Sequence, residues 1–201
     1  MKPVPSLPAE RLHELKERYN ALLRGTGREG AEALIAWLES TDFYTAPASA
    51  ANHGAITGGL LRHSLSVQTY MLSLVKPIAD RHAIADDSVT IVALTHDLCK
   101  VNFYSRRTRN VKINGSWVEE EQFTIEDSFP LGHGEKSVFL VQRHLPLTDD
   151  EALAIRWHMG GYDDASRQYA GGRTQAAAFD NCKLAAALAI ADMYVAQLIG
   201  H

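Results

Sequence analysis

The apolar run LAAALAIADMYVAQLI near the end of the chain carries a carboxylate, Asp192, in its middle. A carboxylate among alanines and isoleucines is costly to bury unless a cation or a cation-bound imidazole meets it. Two other apolar runs carry the same kind of interruption: His63 in GGLLRHSLSV and the His96-Asp97 pair in ALTHDLCK. Any fold that buries these runs has to bring their polar groups together. His63, His96, Asp97 and Asp192 therefore form one candidate ligand set. Consecutive helical positions lie about 100° apart, so His96 and Asp97 can approach one ion from adjacent angles. Imidazole nitrogen and carboxylate oxygen suit divalent transition metals, and a carboxylate has a second oxygen with which to bridge to another ion.

Helical periodicity dominates the rest. Leu12, Leu15, Tyr19, Leu22 and Leu23 form one stripe after Pro8, and Leu34, Ile35 and Leu38 form a second. A loop rich in small and polar residues, 40–59, leads into a helix over about 60–75 that stops before Pro77, and another helix is expected over about 87–98. Between 106 and 123 the pattern becomes β-prone, and Asn114-Gly115 marks a hairpin turn. Helices resume at about 134–145, at 148–159 behind the capping box Thr148-Asp149-Asp150-Glu151, and from about 180 onward. The expected architecture is all-α: a compact bundle of about seven helices with a small β-hairpin insertion near 106–123. One domain over 1–201 accounts for the length, with the N-terminal helices of 7–40 packed on a core of about 50–200.

A net charge of -4 disfavours a broad nucleic-acid footprint, so any grip on a polyanion has to be local. The opening MKPVPSLPAE lacks a signal-type apolar core, and the longest apolar run, Leu184 to Ala191, is too short for a bilayer. A soluble, cytoplasmic protein with no membrane partner is expected. Cys99 and Cys182 stand alone in their segments, forming neither a disulfide framework nor a CxxC zinc pattern. Cys99 has no base beside it in sequence and is read as packing.

The order His63, His96-Asp97, Asp192 on helical segments resembles the HD-domain superfamily of phosphohydrolases over residues 50–200. NHGAITGGLLRHSLSV followed by THDLCK is similar to the HD portion of YhaM-type exoribonucleases, with Cys99 where their HDxGK ending has glycine, and Lys100 retained. His133 in FPLGHGEKS and His158 in IRWHMGGYDD fall between the doublet and Asp192. The full order resembles the six-ligand, two-metal pattern of HD-GYP-like members, although the GYP segment is missing. The resemblance implies a binuclear centre of His63, His96, Asp97, His133, His158 and Asp192, with Asp97 bridging two ions of Mn, Fe, Co, Ni or Zn. Two such ions about 3.5–4 Å apart activate water and neutralise a phosphoryl oxygen. The chain has no GxSxG, P-loop or HExxH motif for a different mechanism.

Asp97 and Lys100 are the expected catalytic pair. Lys100 also offers an ammonium to substrate phosphate, provided the helix of Asp97 continues. Arg106, Arg107 and Arg109, with Lys112 nearby, form a candidate substrate-binding strip on the hairpin, and Phe103, Tyr104 and Trp117 offer stacking surfaces. A solvated hairpin neutralised by Glu119, Glu120 and Glu121 explains the same basic residues. His53 lines the pocket or caps a helix, and Asp163-Asp164 reads as a turn. His13, His82, His144 and His201 read as ordinary histidines. The expected activity is hydrolysis of a phosphate ester in a nucleotide or related phosphometabolite. An exonuclease or phosphodiesterase acting on RNA or DNA ends and a non-catalytic nucleotide-binding module are the alternatives, and the oligomeric state stays open.

Overall fold

In the computed structural model, residues 2–199 are described, and they are mostly helical. The chain runs through α1 (Ala9–Gly25), α2 (Ala31–Glu39), α3 (Gly59–Val75), a single turn α4 (Ala79–His82) and α5 (Asp86–Thr95). The hairpin β1 (Tyr104–Ile113) and β2 (Ser116–Ile125) follows, then α6 (His133–Gln142), α7 (Asp149–Trp157), α8 (Gly171–Asn181) and α9 (Lys183–Tyr194). A π-helical turn, Val195–Ile199, extends α9. All seven helices expected from periodicity are present, and α4 and α8 are additional. Periodicity missed α8 because only Ala178 of its residues is buried, so it has no apolar stripe to detect.

Two apolar clusters sandwich α3 and α5. One gathers Tyr19, Leu34, Phe43, Leu61, Leu65, Ile91 and Leu94; the other gathers Val67, Met71, Val89, Val92, Ile155, Leu184 and Leu188. Every residue of α5 from Val89 to Thr95 is buried, the signature of a helix surrounded by others. The N-terminal helix joins this core through Tyr19, whose hydroxyl donates to the Leu94 carbonyl at 2.9 Å.

Helices α5 and α7 are fastened where they begin. Glu151, fully buried, accepts from Arg28 through both oxygens (2.6 and 3.1 Å) and from Ser88 Oγ at 2.7 Å. It also closes the expected capping box: Thr148 N–H donates to its carboxylate, and Glu151 N–H donates to Thr148 Oγ1. Burial pushes the Glu151 carboxyl up, but Arg28, Thr148 and Ser88 outweigh it and hold the group below its usual range. One ion pair thus fixes the starts of two helices that both end at His/Asp residues.

The hairpin turns at Asn114 (φ 48°) and Gly115 (φ 84°), the left-handed pair that a two-residue turn of the right twist requires. Its register pairs Arg106 with Phe123 and Arg109 with Glu120. Lys2 adds a short parallel bridge at Glu120, so β2 is bordered on its outer side.

The structure corrects one expected boundary near the doublet. The helix expected over 87–98 ends at Thr95, Asp97 leaves helical geometry (φ -103°, ψ 18°), and Leu98–Lys100 forms a 3₁₀ turn. Thr95 Oγ1 donates back to the Ile91 carbonyl at 2.7 Å, competing with the helical ladder at its last turn. The Cys99 N–H then bonds Ser137 Oγ on α6 at 3.0 Å instead of continuing the helix. The last helix likewise starts at Lys183 rather than near 180, because Cys182 (φ -125°, ψ 102°) separates it from α8.

Candidate metal centre

Five helices deliver the six expected side chains to one buried place. His63 comes from the second turn of α3, His96 and Asp97 from the end of α5, His133 from the start of α6, His158 from the end of α7 and Asp192 from α9. The approach of α6 to α7 depends on Gly134: a Cβ there would lie 2.1 Å from the Arg156 carbonyl oxygen. That close packing places the His133 and His158 rings with centroids 5.1 Å apart.

Asp97 divides the cluster between its two oxygens. Oδ2 lies 3.6 Å from His63 Nε2 and 3.5 Å from His96 Nε2, and Asp192 Oδ1 completes this side at 3.0 Å from His63 and 3.7 Å from His96. Oδ1 lies 3.0 Å from His133 Nε2 and 3.6 Å from His158 Nε2. One carboxylate thus faces two groups of donors, the arrangement a bridging ligand needs.

Hydrogen bonds set the ring orientations. His96 Nδ1 donates to the Ala93 carbonyl at 2.9 Å and His158 Nδ1 to the Ile155 carbonyl at 2.7 Å; a carbonyl only accepts, so both Nδ1 atoms carry the proton. With Nδ1 so engaged, each ring turns Nε2 toward the cluster, the usual arrangement of a metal-ligating histidine, and His96 Nε2 lies 3.3 Å from His63 Nε2. His158 Nε2 is buried and has no hydrogen-bond partner among the described residues. Leaving such an acceptor unsatisfied costs about 1–3 kcal/mol, a cost that a cation at this position removes. The donor set, its burial and this orphaned nitrogen fit a divalent transition metal.

The charge states of the two carboxylates and of two of the histidines fit as well. Burial opposes ionisation of Asp97 and Asp192, yet both are held well below the usual carboxylate range, Asp97 by Lys100, His96 and His133 and Asp192 by His63 and His96. Burial lowers His63 and His133, favouring the neutral imidazole that binds metal, whereas at His96 burial is outweighed by Asp97 and Asp192 and the group is raised.

Lys100 reaches the centre by a route the sequence did not specify. The 3₁₀ turn folds its ammonium onto Asp97 Oδ2 at 2.6 Å. Burial works against its charge, but the adjacent Asp97 prevails and raises the group above its ordinary range. Arg106, Arg107 and Arg109 are exposed on β1. Arg106 donates to Thr57 Oγ1 at 2.9 Å and lies 3.6 Å from Glu121, and strand alternation puts Arg107 and Arg109 on the other face. Of the aromatics, Tyr104 is pushed up to about 12 by burial, with Lys100 and Asp97 close enough to act on it, whereas Trp117 is exposed in the hairpin.

His53, whose role the residues alone left open, sits beside the cluster with its ring centroid 5.4 Å from that of His63. Together with Arg62, His63 and Ser66 it lines a cavity of about 80 Å³. Arg62 escaped notice because a single arginine before a histidine has no pattern of its own. Asp163 is a turn residue, accepting from Ala165 N–H and from Arg156. Of the histidines read as ordinary, His144 stacks on Trp37, and His201 lies outside the described residues.

The fold and the cluster together define a mostly helical protein whose buried His, Asp and Cys side chains could hold metal, an arrangement compatible with a metal-dependent hydrolase. Compared with protein-family models, curated proteins and solved structures, the chain matches none. No single helix among the described residues is long and apolar enough to cross a membrane.

Proposed function

We propose that the chain is an HD-type, metal-dependent phosphohydrolase that cleaves a phosphate ester of a nucleotide or related phosphometabolite. The observation that carries this reading is the division of four histidines between the two oxygens of Asp97, with Asp192 beside the first pair and His158 Nε2 left bare. His63, His96 and Asp192 would hold one divalent ion with Asp97, and His133 and His158 the other. When bound, such ions acidify water and neutralise charge on a phosphoryl oxygen.

The chain's own groups supply the rest. Lys100 keeps Asp97 ionised and presents its ammonium where a phosphate nearing Asp97 would meet it. The carbonyls of Ala93 and Ile155 hold two imidazoles with Nε2 inward, so little reorganisation accompanies binding. His53 and Arg62 line the cavity next to His63 and would meet the remainder of the substrate.

The test is metal content together with turnover of bis-p-nitrophenyl phosphate in the presence of Mn²⁺, followed by a panel of nucleotides, cyclic nucleotides and short oligonucleotides. Bound divalent metal, and turnover that disappears in Asp97→Ala, are expected. Metal-replete protein that turns over nothing in the panel would instead mark a binding module. Preference for oligonucleotides, falling steeply with salt, would transfer the substrate to nucleic-acid ends.

A further inference from the structure

His63 differs from His96 and His158 in what its second ring nitrogen meets. Those two stand at helix ends, where the carbonyl three residues back is free of the helical ladder and takes the Nδ1 proton. His63 stands in the second turn of α3, and the corresponding carbonyl, that of Leu60, lies inside the ladder and already accepts from Ser64 Oγ at 3.1 Å. Its Nδ1 is buried with no hydrogen-bond partner among the described residues, while Nε2 faces Asp192 at 3.0 Å. An ion on Nε2 leaves the ring proton on Nδ1, and a ligating histidine almost always gives that proton to an acceptor. His63 also lines the cavity of about 80 Å³ shared with His53 and Arg62. With Nε2 turned to the cluster, Nδ1 is the polar atom the ring has left to offer there. Neither the His53 ring nor the Arg62 guanidinium has a hydrogen bond or ion pair among the described residues. Ser49 steadies the turn that carries His53, donating to its carbonyl at 2.9 Å and accepting from Asn52 N–H at 2.8 Å. No carboxylate is among the described residues that line the cavity.

We infer that this cavity is a subsite for a compact oxyanion, a phosphate or carboxylate group, whose oxygens accept from His63 Nδ1–H and from the Arg62 guanidinium. The inference rests on the metal centre proposed above, because an ion on Nε2 is what puts the proton on Nδ1. The volume suits such a group, being several times the ~10–15 Å³ that holds one water. Arg62 brings the planar fork that meets two oxygens of one oxyanion. The oxyanion comes either from the substrate, as a second anionic group beside the ester that is cleaved, or from solution. In both cases an acceptor at Nδ1 makes Nε2 a stronger donor, so anion and metal tighten each other by the same factor. In the competing arrangement water alone fills the cavity and serves Nδ1.

Sulfate separates the two. The full chain, loaded with zinc, is titrated with sulfate and followed by calorimetry and by the ¹⁵N spectrum of its histidine rings. Saturable binding is expected, about tenfold to a hundredfold weaker in Arg62→Ala and partly restored in Arg62→Lys. Sulfate should also protect bound zinc against a chelator, and Arg62→Ala should lose that protection. Zinc-loaded protein that does not bind sulfate, or binds it equally well in Arg62→Ala, overturns the inference and leaves the phosphohydrolase reading standing, whereas protein that takes up no zinc overturns both. If Arg62→Ala does not fold, the natural sequence decides: a saturating shift of His63 Nδ1–H, with those of His96 and His158 unmoved, is expected, and no shift overturns the inference. KM then separates the two sources. A rise in Arg62→Ala for substrates with a second phosphate or carboxylate, but not for bis-p-nitrophenyl phosphate, assigns the oxyanion to the substrate, and unchanged values for both assign it to solution.

Discussion

Arg28→Ala would leave the carboxylate of Glu151 buried between the starts of α5 and α7 without its cation. In the natural sequence Glu151 is fully buried and Arg28 keeps only 23% of its side-chain surface exposed. Removing one partner of a buried pair costs about 3–5 kcal/mol, mostly as the penalty of stranding the other charge. Two hydrogen bonds survive, from Ser88 Oγ and Thr148 N–H, and the vacated side opens toward solvent. The expected loss is therefore reduced to about 2–3 kcal/mol, which for a chain of this size lowers the melting temperature by about 4–12 °C. The assay is thermal and urea denaturation followed by circular dichroism at matched metal content, since bound metal would add its own stabilisation.

The pH dependence gives a second check. Glu151 has its folded pKa depressed, so its contribution is complete above the unfolded value of about 4.3 and is lost as pH falls through the folded value. The gap between the natural sequence and Arg28→Ala should be widest near neutrality and shrink below about pH 4. A melting shift under about 2 °C at neutral pH, or a gap that does not narrow in acid, would refute the reasoning. Because α5 and α7 run only about 12 Å and about 10 Å from this clamp to His96 and His158, the variant should also release metal at lower chelator concentration.

Three further outcomes are expected. His133→Ala should lower bound metal from two ions to one, since His63, His96 and Asp192 stay in place; stoichiometry near one in the natural sequence with full activity would defeat it. Gly134→Ala places a methyl 2.1 Å from the Arg156 carbonyl, and the forced separation of α6 and α7 should cost about 1–3 kcal/mol and weaken metal binding, measured by melting and chelator competition. Gly115→Ala, where the added Cβ meets nothing within 4 Å, should cost about 1 kcal/mol from its positive φ alone and leave bound metal unchanged.

Much of the fold and most of the cluster can be read from the chain alone, for local reasons. A 3.6-residue apolar period, the Thr148 capping box and Asn114-Gly115 each act over a few residues, and each appears as expected. His63, His96, Asp97 and Asp192 were legible because an ionisable group inside an apolar run has to find a partner somewhere. What the sequence by itself determined was therefore which groups would be buried and of what kind, a consequence of periodicity and desolvation.

Only the tertiary structure decided how they meet. Which oxygen of Asp97 faces which histidines depends on where helices cross, and one of those crossings rests on the missing side chain of Gly134 against Arg156. The return of Lys100 to Asp97 and the placement of Cys99 against His133 follow from a 3₁₀ turn held by Ser137, thirty-eight residues away. Arg28 and Glu151, 123 positions apart, share no local pattern at all. Such contacts are set by packing between distant segments, and periodicity, being local, carries no information about them.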